Sequence, residues 1–373
     1  MNQINCPICG NKCVKAGKTK AGTQRWLCKK CKTSLTHKID NDSKELQIFL
    51  DWLFGKETQS IMPGEGRTFR RKTARFWDIW PMPPKIEETK DVLFLDGIYL
   101  GRKACVLICC DEKNVLGWYL CRYEHAGAWI ALMKRIAEPR MVVSDGGTGF
   151  AKALKKVWPI AKHQRCIFHV FCQIKRYTTP KPNTLAGVEL YCLAKDLLKI
   201  KEKQEAETWV TRFTEWIKKY QKFLSEMTVD EHGNKRPTHE RLLKAERSLL
   251  KLIKENTLFT YLDKEFINDF IAPSTNNRIE GGINSRLREM LRNHRGLSIE
   301  RRIKAVYWWC YMHSPEPLSL SEIIKTMPTD RSIAAIYQRM NDKSRLEKSL
   351  SLWGDAIVWS DLHKTDKSFT EWD

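Results

Sequence analysis

The sequence predicts a multidomain α/β protein: a small metal-held module, a helical pair, and an α/β core interrupted by a long helical stretch. Three observations predict it. Two Cys-x2-Cys pairs fall within the first 31 residues, three short apolar segments after residue 91 give way to alternating helix and strand, and a Lys-, Glu- and Leu-rich region then precedes a late amphipathic helix. A chain of 373 residues can bury more than one core. Its formal charge of +21 points to a polyanionic partner, nucleic acid or a membrane surface. No apolar run approaches about 20 residues, so no segment is expected to span a bilayer. The N-terminus is polar and lacks a secretory apolar region, so an intracellular, cytoplasmic location is expected. In that compartment the 13 cysteines are not expected to form a disulfide framework. The 14 tryptophans suit packing and also base stacking.

Residues 1–40 carry the first module. Cys6-x2-Cys9 and Cys28-x2-Cys31, with 18 residues between the pairs, have the spacing of a structural zinc site. The stretch between them reads as a strand, turn, strand hairpin too short to be stable without a metal. Cys13 falls outside the pattern. Nine basic residues against the single acid Asp40 favour a zinc ribbon that touches phosphates over a solvated face. Residues 41–82 read as a helix-turn-helix. Ser43 caps a helix with Leu46, Phe49, Leu50, Leu53 and Phe54 on one side, and Gly55 ends it. A second, long helix starts near Thr68, and Arg67, Arg70, Arg71, Lys72 and Arg75 load its opening turns as DNA contacts. The alternative is an ordinary helical hairpin with a charged face. Pro81 to Lys85 reads as a stiff linker.

The core begins near residue 90. "DVLFLDGIYL", "KACVLICCDE" and "VLGWYLCRYE" read as a three-stranded meander, followed by helix, strand, helix, strand. That is the element order of the ribonuclease H-like fold, here in two parts, 90–172 and 271–314. Asp96 sits in the first strand and Asp145 ends the fourth. In "STNNRIEGGINSRLREMLR", Ile283, Leu287 and Leu291 form an apolar stripe with Glu280 in its middle, while Arg278, Arg286, Arg288 and Arg292 fall off it. A carboxylate on an inward face is costly unless something positive meets it. Three converging acids repel one another, and two Mg2+ or Mn2+ ions would meet that need. Each acid taken singly has an ordinary reading: Asp96-Gly97 and Asp145-Gly146 suit turns, and Glu280 suits an internal ion pair. His163, Cys166, His169 and Cys172 recur every third residue, but neither a strand nor a helix converges four ligands at that step. His169 is instead expected to reach the active site or a DNA phosphate, and Cys166 to pack as a small apolar residue. Residues 173–270 read helical throughout, an all-α insertion in which dimerisation is conceivable. Residues 315–373, with Trp353, Trp359 and Trp372, read as a tail packing back on the core.

With these pieces in view, the chain resembles bacterial insertion-sequence transposases of the Mutator-like superfamily. The matching segments are "LDGIYL", "VSDGGTGF", "HQRCIFHV" and "STNNRIEGGINSRLR". The resemblance implies a DDE triad of Asp96, Asp145 and Glu280, a C-x2-H signature at Cys166 and His169, and a helical insertion between the second Asp and the Glu, here 135 positions apart. It implies an enzyme that binds the ends of its mobile element and cleaves and joins DNA by two-metal phosphoryl transfer. A homodimer or larger assembly on DNA, and association with the nucleoid, would follow. A nuclease or resolvase of the same fold and a non-catalytic DNA-binding regulator are the alternatives; the intact acids argue against the regulator.

Overall fold

In the first module, Cys13–Lys18 (β1), Gln24–Cys28 (β2) and Ser34–Thr36 (β3) form an antiparallel sheet in that order, with Cys13 opposite Cys28. The computed structural model describes residues 4–6, 8–36, 41–229, 231–263, 270 and 272–347. Among the described residues of this module only Cys6, Cys13 and Cys28 are buried, with Cys9, Trp26 and Leu35 packed against them. So small an apolar cluster cannot hold three strands, which leaves the sulfurs to do so.

The helix Asp42–Phe54 (α1) buries Leu46, Phe49, Leu50, Trp52 and Leu53. The second helix, Arg67–Thr73 (α2), has seven residues where the sequence suggested a long one. It tightens into a 3-10 turn over Ala74–Asp78. The cause is aromatic packing: Trp77 meets Phe49 edge-on at 4.9 Å, and burial of Phe76, Trp77, Ile79 and Trp80 pulls the chain down into the core. Gly66, just before α2, has φ of +79°, and a Cβ there would lie 2.4 Å from the Gln59 carbonyl oxygen, so the turn requires glycine.

The central sheet contains Val92–Leu100 (β4), Ala104–Cys110 (β5), Val115–Cys121 (β6), Met141–Ser144 (β7) and Lys162–Arg165 (β8), in the order β6-β5-β4-β7-β8. The meander strands pair antiparallel; β4, β7 and β8 run parallel. Both faces of β4, β5, β6 and β7 are covered, so these strands read as nearly continuous apolar runs, whereas the edge strand β8 is polar. Leu93, Leu95, Leu107 and Val142 face Trp129 of Ala126–Met133 (α3), Phe150 of Thr148–Val157 (α4) and the following Trp158. Phe94, Ile98, Val106 and Val143 face the larger core, which takes in α1, α2, Ile167–Thr178 (α5) and the late helices.

Leu185–Leu197 (α6), Lys203–Leu224 (α7) and Glu240–Lys254 (α8) make up most of the insertion. It is not all-α as the sequence suggested. Met227–Val229 (β9) and Lys235–Pro237 (β10) form an exposed antiparallel hairpin between α7 and α8. Gly233, at φ +79°, supplies the turn that helical periodicity did not reveal. After the insertion come a π-helical segment, Arg278–Asn284, continuous with Ser285–Asn293 (α9), then Ile299–Met312 (α10), Leu320–Thr326 (α11) and Asp330–Glu347 (α12). The tail packs back through Ile323, which is fully buried, and Asp330, which accepts from Trp80 Nε1 at 2.6 Å and from the buried Lys304 Nζ. Trp353, Trp359 and Trp372 lie outside the described residues.

Candidate active site and metal centre

Register brings the two aspartates together. Leu95 of β4 pairs with Ser144 of β7 in parallel, so Asp96 and Asp145 are the next residues on neighbouring strands. Asp96 is half-buried; its Oδ1 accepts from the Gly97 N–H at 2.8 Å and its Oδ2 from Asn284 Nδ2 at 2.7 Å. Burial, and then the charge of Asp145, push the Asp96 carboxyl up to about 6, while the Gly97 N–H, Arg288 and Asn284 pull it back. Glu280 arrives on the π-helical segment, whose extra residue per turn re-aims side chains relative to a regular helix. It is pushed up to about 7 by burial first and then by the charges of Asp96 and Asp145, with Arg288 opposing. The structure therefore brings Asp96, Asp145 and Glu280 within electrostatic reach of one another. The neighbouring Ile279, Ile283 and Leu287 are buried, so Glu280 flanks the apolar stripe at its half-buried edge. His169 joins them: its Nδ1 lies 3.3 Å from Glu280 Oε1, and burial lowers its basicity.

Two further groups escaped the sequence reading. Asn284 is fully buried; its amide nitrogen holds Asp96, and its Oδ1 has no hydrogen-bond partner among the described residues. Its place four residues after Glu280, on the same helical face, was the available signal. Glu124, just past β6, places Oε1 where a Cβ on Gly97 would meet it at 2.6 Å. Burial and the charges of Asp145 and Asp96 push it up to about 7 as well. Behind Asp145, Gly146 has φ +77° and lies so close to Arg165 that a Cβ would fall 2.3 Å from Nη1.

The Cys-x2-Cys pairs converge as spaced. Sγ atoms of Cys6 and Cys31, and of Cys9 and Cys28, are 3.4 Å apart, and Cys9 and Cys31 are 3.6 Å apart. The four form one cluster able to hold a metal ion, and Cys13 stays outside it. None of the 13 cysteines is paired in a disulfide.

Residues 104–234 match the family described as "Transposase, Mutator family". Over that stretch the chain is similar to the Mutator family of transposases. The match includes Asp145, Cys166 and His169; Asp96 precedes it and Glu280 follows it. The chain is 32% identical over 101 residues to the "Transposase for insertion sequence element IS905" of Lactococcus lactis subsp. lactis (strain IL1403), covering 23% of this chain and 26% of that protein. It is 29% identical over 157 residues to the "Transposase for insertion sequence element IS6120" of Mycolicibacterium smegmatis, covering 37% of this chain and 46% of that protein. The chain thus spans less than half the length of either relative in alignment. These likenesses support a Mutator-like insertion-sequence transposase.

Arg67, Arg70, Arg71, Lys72 and Arg75 are all exposed on or beside α2. Two of them turn towards α1: Arg75 pairs with Asp42 at 2.8 Å and Glu45 at 2.7 Å, and Lys72 with Glu45 at 3.2 Å. Arg286 and Arg288 are exposed on α9, whereas Arg278 is half-buried. No described helix is long and apolar enough to cross a membrane.

Proposed function

We propose that the chain is a DNA transposase that binds the ends of its mobile element and carries out cation-dependent strand cleavage and strand transfer. One observation carries this reading: Asp96, midway along β4, lies beside Asp145, just past the end of β7, and both act electrostatically on Glu280, far along the chain. The sheet order, with β4 flanked by the meander and by β7, supports a ribonuclease H-like core. The donors fit a hard divalent cation. They are all oxygens, they repel one another, and the orphaned Asn284 Oδ1 adds an uncharged oxygen beside them. Asp96, Asp145 and Glu280 would hold two such ions, Mg2+ or Mn2+. When bound, these supply charge neutralisation and activation of a water or hydroxyl for in-line phosphoryl transfer.

The chain's own groups preset that site. The Gly97 N–H and Asn284 fix the orientation of Asp96, while Arg288 limits the repulsion felt by Asp96 and Glu280. His169, kept neutral by burial, stands at Glu280 and is placed to accept or donate a proton near the reacting phosphate. The four thiols of Cys6, Cys9, Cys28 and Cys31 suit Zn2+, whose tetrahedral sulfurs lie about 3.8 Å apart, close to the spacing seen. Arg67, Arg70, Arg71, Lys72 and Arg75 offer the helix-turn-helix contact to element ends, and Arg278, Arg286 and Arg288 line DNA at the catalytic helix. Incubation of the protein with a labelled element-end duplex and a target plasmid in Mg2+ or Mn2+ tests the reading. Covalently joined product is expected. Cleavage without joining would indicate a nuclease or resolvase, and binding without either a regulator.

A further inference from the structure

Three donors of different chemistry converge beside the acids. Cys166 Sγ, a ring nitrogen of His169 and a Glu280 carboxylate oxygen all lie within 4.8 Å of one another. His169 Nδ1 is 3.3 Å from Glu280 Oε1, yet it is buried and their geometry is not that of a hydrogen bond. Cys166 is buried at the start of α5, and its sulfur is surrounded by backbone donors. The Asn276 N–H donates to it at 3.2 Å, and the N–H groups of Phe168 and His169 also reach it.

That donor pattern occurs twice more in the chain. Cys6 receives the N–H groups of Ile8 and Cys9, and Cys28 those of Lys30 and Cys31. In all three places the donors come from the second and third residues after the cysteine. Both other occurrences are in the four-cysteine cluster, where N–H groups turned towards sulfur offset the charge of metal-bound thiolates. Cys166-x2-His169 therefore has the local build of a metal knuckle with histidine as its second ligand.

We propose that Cys166, His169 and Glu280 form a second site for a zinc-class divalent ion, distinct in chemistry from the all-oxygen site beside it. A sulfur, nitrogen and oxygen set is what zinc takes and magnesium avoids, and three protein ligands leave a fourth position for water. The thiol proton leaves to solvent on binding. Periodicity argues correctly against four ligands from one segment; the third ligand here comes from the π-helical segment far along the chain. Glu280 belongs to both sites, so an ion held by Cys166 and His169 engages it at the expense of the hard-cation site. That competition rests on the transposase reading, whereas the metal site itself does not.

Cobalt is the probe. The full chain, reduced and with its four-cysteine cluster already filled with zinc, is titrated with Co2+. One equivalent is expected to bind with tetrahedral visible absorption and a thiolate-to-cobalt charge-transfer band, and Zn2+ should displace it. Cys166→Ser and His169→Gln should each abolish this spectrum, while Cys172→Ser should keep it. No cobalt bound by the wild-type chain would overturn the proposal, as would an unchanged spectrum in both Cys166→Ser and His169→Gln. A wild-type chain that binds this cobalt yet never cleaves DNA would support the site while sinking the transposase reading.

Discussion

At the scale of single residues, the proposed site would work by crowding acids. Glu280 is held up to about 7 against an ordinary 4.5, chiefly by burial. The folded state therefore binds that proton more tightly than the unfolded chain. Its contribution to stability is fully present below about 4.5 and is lost as pH rises through 7. Glu280→Gln cannot ionise, so without divalent cations it should melt higher than wild type at pH 8, with the gap closing at pH 5. Thermal melts of both proteins across that range check this; a variant less stable than wild type at pH 8 would instead mark Glu280 as one half of a structural ion pair. Asn284 makes a second prediction. Because it orients Asp96 and offers Oδ1, Asn284→Ala should weaken Mn2+ binding by about 10–100-fold while DNA binding is kept. Paramagnetic titration of free Mn2+ reads it, and unchanged affinity would remove Asn284 from the site. Asp96, Asp145, Glu280 and His169 could be proposed from the sequence because each is a chemically reactive residue at an apolar or motif position. Asn284 and Glu124 were not, since their importance lies in what a distant strand places beside them.

At the scale of elements, the sequence announced most helices and all five core strands: burial on both faces writes apolar runs into β4 to β7, and β8, which is polar, was read from the alternation of helix and strand. It overstated α2 and missed the β9–β10 hairpin. Both failures come from tertiary context: aromatic anchors shorten α2, and one glycine turn outweighs helical composition. The short α2 also divides its cations. Arg75 is engaged by Asp42 and Glu45, whereas Arg70 and Arg71 are exposed on the helix surface. Replacing Arg70 and Arg71 with Ala should lower the salt dependence of element-end binding by about one unit of slope each. Arg75→Ala should chiefly lower the melting temperature. Binding isotherms at several salt concentrations, beside melts, separate the two; an unchanged slope in the Arg70 and Arg71 variant would move DNA recognition to another surface.

At the scale of the whole molecule, the first module has its own sulfur cluster, while α1 and α2 share a core with the sheet and the late helices. Loss of the metal should thus be a local event. Cys28→Ser should lose about one zinc per chain and the structure of the first 36 residues, and leave the central sheet folded. Elemental analysis with limited proteolysis tests this, and a variant that retained full zinc would refute the ligand set. The account as a whole stands on two acids that the sheet sets side by side and a third that a late helix brings within their electrostatic reach. Its most direct test is the rate of Mg2+-dependent cleavage of element-end DNA by Glu280→Gln, measured on protein shown to bind that DNA as wild type does. The expected result is a loss of at least about a thousandfold in rate with binding intact. Cleavage at a near wild-type rate would contradict the account.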